Sequence, residues 1–181
     1  ETYEFVDEIV GGPIPREFIP ACDKGFREGI KKGRLIGFPV VGLRATINDG
    51  QFHAVDSSEM AFKTAALQGL REAYAGAKPI ILEPIMKVEV EAPTEFQGAV
   101  VGQVNQRRGV IQDTVSADVV TVTALVPLNT MFGYSTDLRS ATQGKGNYTM
   151  EFAKYAPVPR QEQEEMVKKY KEQLAAEAAK K

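Results

Sequence analysis

The strongest restriction on the fold comes from a strict alternation of apolar and charged residues near the middle of the chain. The positions are, in order, Met86, Lys87, Val88, Glu89, Val90 and Glu91. Successive side chains of a β-strand point to opposite faces of its sheet, so this pattern is typical of a strand with one buried face. The sequence therefore predicts a half-buried strand here.

The segments after this strand alternate between helical and extended patterns. A helix is predicted from about Thr94 to Arg108, and a short strand near 110–112 follows it. A longer strand is predicted from Val119 to Val126, a second helix from about Met131 to Thr142, and a last strand from Tyr148 to Tyr155. The order is β-α-β-β-α-β, the ferredoxin-like arrangement.

The residues before this region predict a smaller α/β region. Its elements are a strand over Glu1 to Val6, a helix from about Arg16 to Lys32, a strand from Phe38 to Ile47 and a helix to about Ala75. Asn48-Asp49-Gly50 is a strong turn signal, so we expect the chain to reverse and return through residues 51–55.

Proline-containing segments mark the boundaries of these regions. Ala77-Lys78-Pro79 separates the two α/β patterns, and Pro157-Val158-Pro159 precedes a charged segment that continues to Lys181. That segment carries apolar residues at helical spacing, which predicts a helix that docks on the first region. Three segments are thus predicted: 1–77, 78–156 and 157–181.

Several classes of site are excluded by the residues themselves. The sequence has no Gly-x-x-x-x-Gly-Lys-Ser/Thr phosphate loop, and it has neither the Cys-x-x-Cys nor the His-x-x-x-His spacing of a metal site. A single cysteine, Cys22, excludes an internal disulfide framework. We predict no metal and no catalytic residues.

Membrane and bare nucleic-acid partners are disfavoured by hydropathy and charge. Apolar runs fall short of the roughly 20 residues that a membrane span needs. The net charge is −2 and the pI is about 5.6, whereas proteins that wrap nucleic acid are usually basic. Any RNA contact must therefore come from local patches.

One nucleophile–base pair remains possible, formed by Cys22 and the single histidine, His53. Cys22 shares a helical face with Phe18 and Phe26, which favours a small buried residue instead. The carboxylates of Asp56 and Glu59 are explained more simply as helix-capping groups. His53 lies near a turn and just before a helix, where a side chain can project.

Three stretches carry a family resemblance. They run from Gly37 to Val41 and on from Asp49 to Lys63, from Leu82 to Val90, and from Val126 to Ser140, continued by 142–144. In this order and spacing they resemble bacterial-type elongation factor G, and the resemblance covers nearly the whole chain. It implies an α+β chain in which 1–77 is the later part of domain IV, 78–156 is domain V, which is ferredoxin-like, and 157–181 is a C-terminal helix returning to domain IV.

The resemblance also implies a function. The chain would be a ribosome-binding C-terminal fragment of a cytoplasmic translational GTPase that promotes tRNA–mRNA translocation during elongation. It would have no enzyme activity of its own, because the family's GTPase domain is not in this sequence; GTP and Mg would belong to the parent protein. The expected partners are rRNA, the tRNA–mRNA module and stalk-base proteins, with no membrane and no DNA.

The family's tip histidine matches His53, so the resemblance implies a decoding-site contact by His53 with Gly50, Gln51 and Ala54. Imidazole can stack on a base and donate to phosphate or 2′-OH. Weaker rRNA contacts are expected from four cations, whose alternative role is to complement helix ends and aid solubility. They are Arg107, Arg108, Arg139 and Lys145.

Departures from the family pattern leave alternatives open. Ala54 stands where the family usually has an acidic residue, and Phe52 replaces a tyrosine. These residues would also suit a divergent elongation factor G paralogue, and tetracycline ribosomal-protection proteins share the architecture. A small-molecule regulatory domain is a further alternative for the ferredoxin-like region.

Overall fold

The computed structural model describes residues 2–180, which form two compact units. The first unit comprises the described residues up to Pro79 together with those from Arg160 onward, and the second comprises Ile80–Pro159. Glu1 and Lys181, which begin and end the predicted segments, lie outside the described residues. No helix within the described part of the chain is long and apolar enough to cross a bilayer.

The first unit is built on two parallel strands and two helices. Strand β1 (Tyr3–Asp7) pairs with β2 (Leu43–Ile47), so that Tyr3 lies opposite Leu43. Parallel neighbours need a crossover connection, and helix α1 (Ile19–Ile30) supplies it. Helix α2 (Glu59–Ala73) then packs against α1.

The core of the first unit lies around the α1–α2 contact. Its buried members are Ile14, Ala21, Cys22 and Phe62, and partly buried apolar residues surround them. Cys22 is a small buried residue, as its helical register predicted. Phe62 is the α2 residue in this core beside Ala21 and Cys22, whereas Met60 is 68% exposed.

The turn expected at Asn48-Asp49-Gly50 does not return the chain as a strand beside β2. Strand β2 is shorter than predicted, since it begins at Leu43, and its partner is the parallel strand β1. Residues 51–55 form neither helix nor strand. The loop packs on the core instead: the ring of Phe52 stacks on Phe18, and the Ile14 side chain lies against the backbone of Gly50. An Asp-Gly pair marks a turn but does not by itself specify a returning strand.

Helix α2 is capped by a residue other than the one expected. The N-cap is Ser58, whose Oγ accepts a hydrogen bond from the backbone N–H of Ala61 at 3.1 Å. Asp56 lies two residues earlier in the turn. Serine and aspartate are equally good caps, so the sequence did not distinguish the two positions.

The second unit has the predicted β-α-β-β-α-β order. Its elements are β3 (Leu82–Pro93), α3 (Gln97–Gln106), β4 (Val110–Ser116), β5 (Val119–Pro127), α4 (Tyr134–Ala141) and β6 (Asn147–Pro157). The four strands form an antiparallel sheet in the order β4-β5-β3-β6. The α+β class and the ferredoxin-like arrangement are therefore confirmed.

One face of this sheet forms the core with the two helices. Val88 and Val90 of β3 are fully buried while Lys87 and Glu91 are exposed, so the alternation predicted the correct face. The other buried members come from β3, from β5, from both helices and from the segment before α4: Ala92, Val120, Val122, Ala124, Val126, Val100, Val104, Tyr134, Leu138 and Met131. Helices on one side of an antiparallel sheet leave its other side polar.

The last helix, α5 (Arg160–Ala178), belongs to the first unit. The hydroxyl of Tyr170 lies so close to Gly37 that a Cβ there would be 2.7 Å from it. Gly37 also has a φ of +80°, a conformation that favours glycine. Tyr170 therefore sits directly on the backbone of the loop before β2.

Candidate functional site

The candidate site is the loop between β2 and α2, residues 48–58. The side chains of Gln51, His53 and Ala54 are exposed, and Gly50 is half-buried. These four predicted site residues thus lie together on one loop of the first unit. The helix that follows begins at Glu59, so the loop ends on a rigid element.

The backbone of His53 is held by Ser57. The N–H of His53 donates to Ser57 Oγ at 2.9 Å, and the N–H of Ser57 donates to the carbonyl oxygen of His53 at 2.9 Å. Both backbone groups of His53 are therefore satisfied within a closed turn over residues 53–57. The imidazole is not needed as a hydrogen-bond partner for these backbone groups, and it lies at the surface.

A column of three aromatic rings anchors the loop just before His53. The ring of Phe52 stacks on Phe18 with centroids 5.8 Å apart, and Phe18 stacks on the buried Phe62 at 4.9 Å. Aromatic pairs at such distances contribute about 0.5–1.5 kcal/mol each beyond the area they bury. Phe52, which the sequence marked only as a departure from the family pattern, thus connects the loop to the core.

Gly50 allows the loop to lie close to the core. A Cβ at this position would come within 2.6 Å of the side chain of Ile14, which is buried. A side chain at position 50 would push the loop outward. Gly50 therefore allows the loop to lie close to the core, and it has no side chain with which to contact a partner.

The Cys22 thiol is not presented as a nucleophile. Cys22 lies in the core of the first unit, and its burial raises the pKa of the thiol, so the thiolate is disfavoured. Within residues 2–180, no three His, Cys, Asp or Glu side chains are grouped so that they could hold a metal ion. The loop can act through shape, stacking and hydrogen bonds.

The four predicted rRNA-contacting cations fall into two classes in the second unit. Arg107 and Arg108 are committed to protein partners. The guanidinium of Arg107 donates to the carbonyl oxygen of Thr130 and to the carboxylate of Asp137, and only 16% of its side chain is exposed. Arg108 makes a bidentate pair with Glu83, with both N–O distances at 3.0 Å. Their RNA contacts stay a prediction that this geometry does not favour.

Arg139 and Lys145 present their charge outward. Both are exposed, and Lys145 Nζ lies 3.8 Å from a carboxylate oxygen of Glu95 in an ion pair at the surface. Such exposed pairs are weak and readily exchange partners. These two cations are therefore better placed than Arg107 and Arg108 to contact a phosphate.

The second unit also contains an open cleft between α3 and α4, with a volume of about 570 Å³. Five of its six lining residues carry polar or charged side chains; the six are Gln103, Gln106, Arg107, Asp137, Ser140 and Ala141. Pockets for small metabolites are mostly apolar and more enclosed. The cleft therefore does not favour the alternative of a small-molecule regulatory domain.

Two family models match the chain, one for each α/β region. The family model described as "Elongation factor G, domain IV" matches residues 1–78, and the one described as "Elongation factor G C-terminus" matches residues 80–166. Together the two models span both predicted α/β regions. Their junction falls at Pro79, where the structure also divides.

Individual relatives agree with the family models. The chain is 60% identical over 178 residues to "Elongation factor G 1" of Treponema pallidum and 58% identical over 177 residues to "Elongation factor G 2" of Bdellovibrio bacteriovorus. These alignments cover 98% and 97% of the chain but only 26% and 25% of the relatives. The chain thus spans about a quarter of the length of the curated relatives it matches.

A solved structure shows the same fold. A crystal structure of a protein from Thermus thermophilus superposes with a TM-score of 0.83 at 38% sequence identity. The superposition covers 95% of this chain and 26% of that one.

Proposed function

Because the chain belongs to the elongation factor G family, we propose that it forms the ribosome-contacting part of a translational GTPase that promotes tRNA–mRNA translocation. In this proposal residues 1–77 and the helix of 157–181 are the later part of domain IV, and 78–156 are domain V. GTP and Mg²⁺ would be used by other parts of such a factor. The observation that carries the proposal is the exposed His53 on a loop fixed to a helix and to the core.

The proposed action of the loop is mechanical. His53, flanked by Gly50, Gln51 and Ala54, enters the decoding region and contacts the tRNA–mRNA module. An imidazole can stack on a base and donate to phosphate or 2′-OH groups, so it opposes backward slipping without forming or breaking a covalent bond. The rigid support of the loop matters because a mobile contact would resist displacement poorly.

The second unit is proposed to contact the large ribosomal subunit near its stalk base, within the cytoplasm. Arg139 and Lys145 are the proposed phosphate contacts, because their side chains are exposed. Arg107 and Arg108 are given a supporting role, since their guanidinium groups hold Thr130, Asp137 and Glu83. Each phosphate that a cation neutralises releases counterions, so binding should weaken with salt.

Sedimentation of the chain with ribosomes tests this proposal. With about two phosphates contacted, affinity should fall about tenfold between about 50 and 200 mM salt. The double variant Arg139→Gln, Lys145→Gln should bind more weakly and with a shallower salt dependence. Affinity that is the same at both salt concentrations, or equal salt dependence in both proteins, would contradict the proposed contacts.

A further inference from the structure

The turn that carries His53 contains two adjacent serines with different partners. Ser58 Oγ accepts from the N–H of Ala61 and so caps α2. Ser57 Oγ accepts from the N–H of His53, four residues back along the chain. The Ser57 hydroxyl therefore holds the loop backbone at His53, and the Ser58 hydroxyl holds the first turn of α2.

We propose that Ser57 is a positioning residue that fixes the direction in which His53 is presented to RNA. The inference deepens the proposed function and rests on it, because it concerns the same loop. Ser57 acts through the backbone of His53 and has no contact with RNA in this proposal. Residue types alone give no sign of this role.

The loop is held at Phe52 and at the start of α2, and the hydrogen bond from His53 to Ser57 links these two ends. On one side Phe52 is held by its stack on Phe18, and on the other side α2 begins at Glu59. Between them, residues 54–56 form an exposed turn. The hydrogen bond from His53 N–H to Ser57 Oγ closes this turn on the histidine itself.

The second hydrogen bond of the turn does not replace the first. The N–H of Ser57 donates to the carbonyl oxygen of His53, and alanine at position 57 keeps this bond. It constrains the peptide after His53, whereas the bond to Oγ constrains the peptide before it. Loss of the hydroxyl therefore allows the peptide plane between Phe52 and His53 to rotate about ψ of Phe52 and φ of His53. A change in these dihedrals redirects the imidazole.

Amide hydrogen exchange in this chain tests the first half of the inference. In Ser57→Ala the His53 amide should exchange about fivefold faster, the effect of losing one ordinary hydrogen bond. Ser57→Thr keeps a hydroxyl and should restore protection. Ser58→Ala is the matched control: it should speed exchange at Ala61 and leave His53 unchanged. Unchanged exchange at His53 in Ser57→Ala would overturn the inference.

Translocation kinetics test the second half. In a chimera, this chain replaces the matching quarter of full-length Treponema pallidum elongation factor G 1. The chimera without further substitutions is the parent chimera, and its rate of single-round translocation is measured. Ser57→Ala should slow translocation about fivefold in the parent chimera, with recovery in Ser57→Thr. In a His53→Ala background, Ser57→Ala should cause no additional slowing, because Ser57 acts only through the histidine.

The outcomes separate the inference from the proposed function. If His53→Ala slows translocation and Ser57→Ala does not, the positioning role is wrong and the proposed function stands. If Ser57→Ala slows the His53→Ala chimera as much as the parent chimera, Ser57 acts independently of the histidine and the inference is overturned. If His53→Ala has no effect, the proposed contact and the positioning role both fail.

Discussion

Gly25→Ala is expected to destabilise the first unit by about 2 kcal/mol. A Cβ on Gly25 of α1 would lie 2.3 Å from the backbone carbonyl oxygen of Lys63 and 2.9 Å from Ala66 Cβ, both on α2. A backbone atom cannot turn aside, so the helices must separate, at a cost of about 3 kcal/mol. Alanine recovers about 1 kcal/mol through its higher helix propensity.

The lone cysteine reports this change selectively. Cys22 is buried in the first unit, so the rate at which a thiol reagent labels it follows opening of that unit alone. Gly25→Ala should raise the labelling rate about thirtyfold. Gly69→Ala, in α2 with open space around its Cα, is the matched control and should lower the rate. Equal rates in the two variants would contradict the close-packing explanation.

Glu83→Gln should destabilise the second unit by about 2 kcal/mol. Glu83 accepts both bonds of the bidentate pair with Arg108, and only 11% of its side chain is exposed. The Arg108 side chain is 30% exposed, so the pair is partly buried, and removing the Glu83 charge leaves the guanidinium poorly compensated. Arg108 also holds a φ of +58°, a conformation that costs a non-glycine residue about 1 kcal/mol or more. The pair connects the end of α3, which Arg108 follows, to β3, which contains Glu83.

Hydrogen exchange measured on peptides from β3 and β5 checks this second effect, and about thirtyfold faster exchange is expected. Glu151→Gln is the control. Its carboxylate pairs with Lys87 across the same sheet at 3.5 Å, but 72% of its side chain is exposed. Such a pair is worth less than about 1 kcal/mol, so exchange should change little. If the two variants behave alike, burial of the Glu83–Arg108 pair does not stabilise the unit.

The second unit was predictable because its signals are local. The alternation from Met86 to Glu91 identified both a strand and its buried face, and Val88 and Val90 are indeed fully buried. In the first unit a local signal pointed to the wrong neighbour for β2. Strand β2 pairs with β1, which lies 40 positions earlier at Tyr3↔Leu43, so the nearby Asp49-Gly50 signal was misleading.

The candidate site was predictable only in part. The exposure of His53 follows from its place between a turn and a helix. The bond from its N–H to Ser57 depends on the conformation of the turn, which residue types alone do not specify. The sequence likewise showed Arg107 and Arg108 as a patch of charge, because their partners Asp137 and Glu83 lie 30 and 25 positions away.

The most direct test of the account is the rate of single-round translocation by the chimera with and without His53→Ala, measured beside its rate of GTP hydrolysis. Loss of a stacking and hydrogen-bonding contact should slow translocation roughly tenfold, because one such contact is worth about 1–3 kcal/mol. GTP hydrolysis should keep its rate, since His53 takes no part in that chemistry. A variant that loses both rates equally, or neither, would contradict the claim that this exposed imidazole acts on RNA.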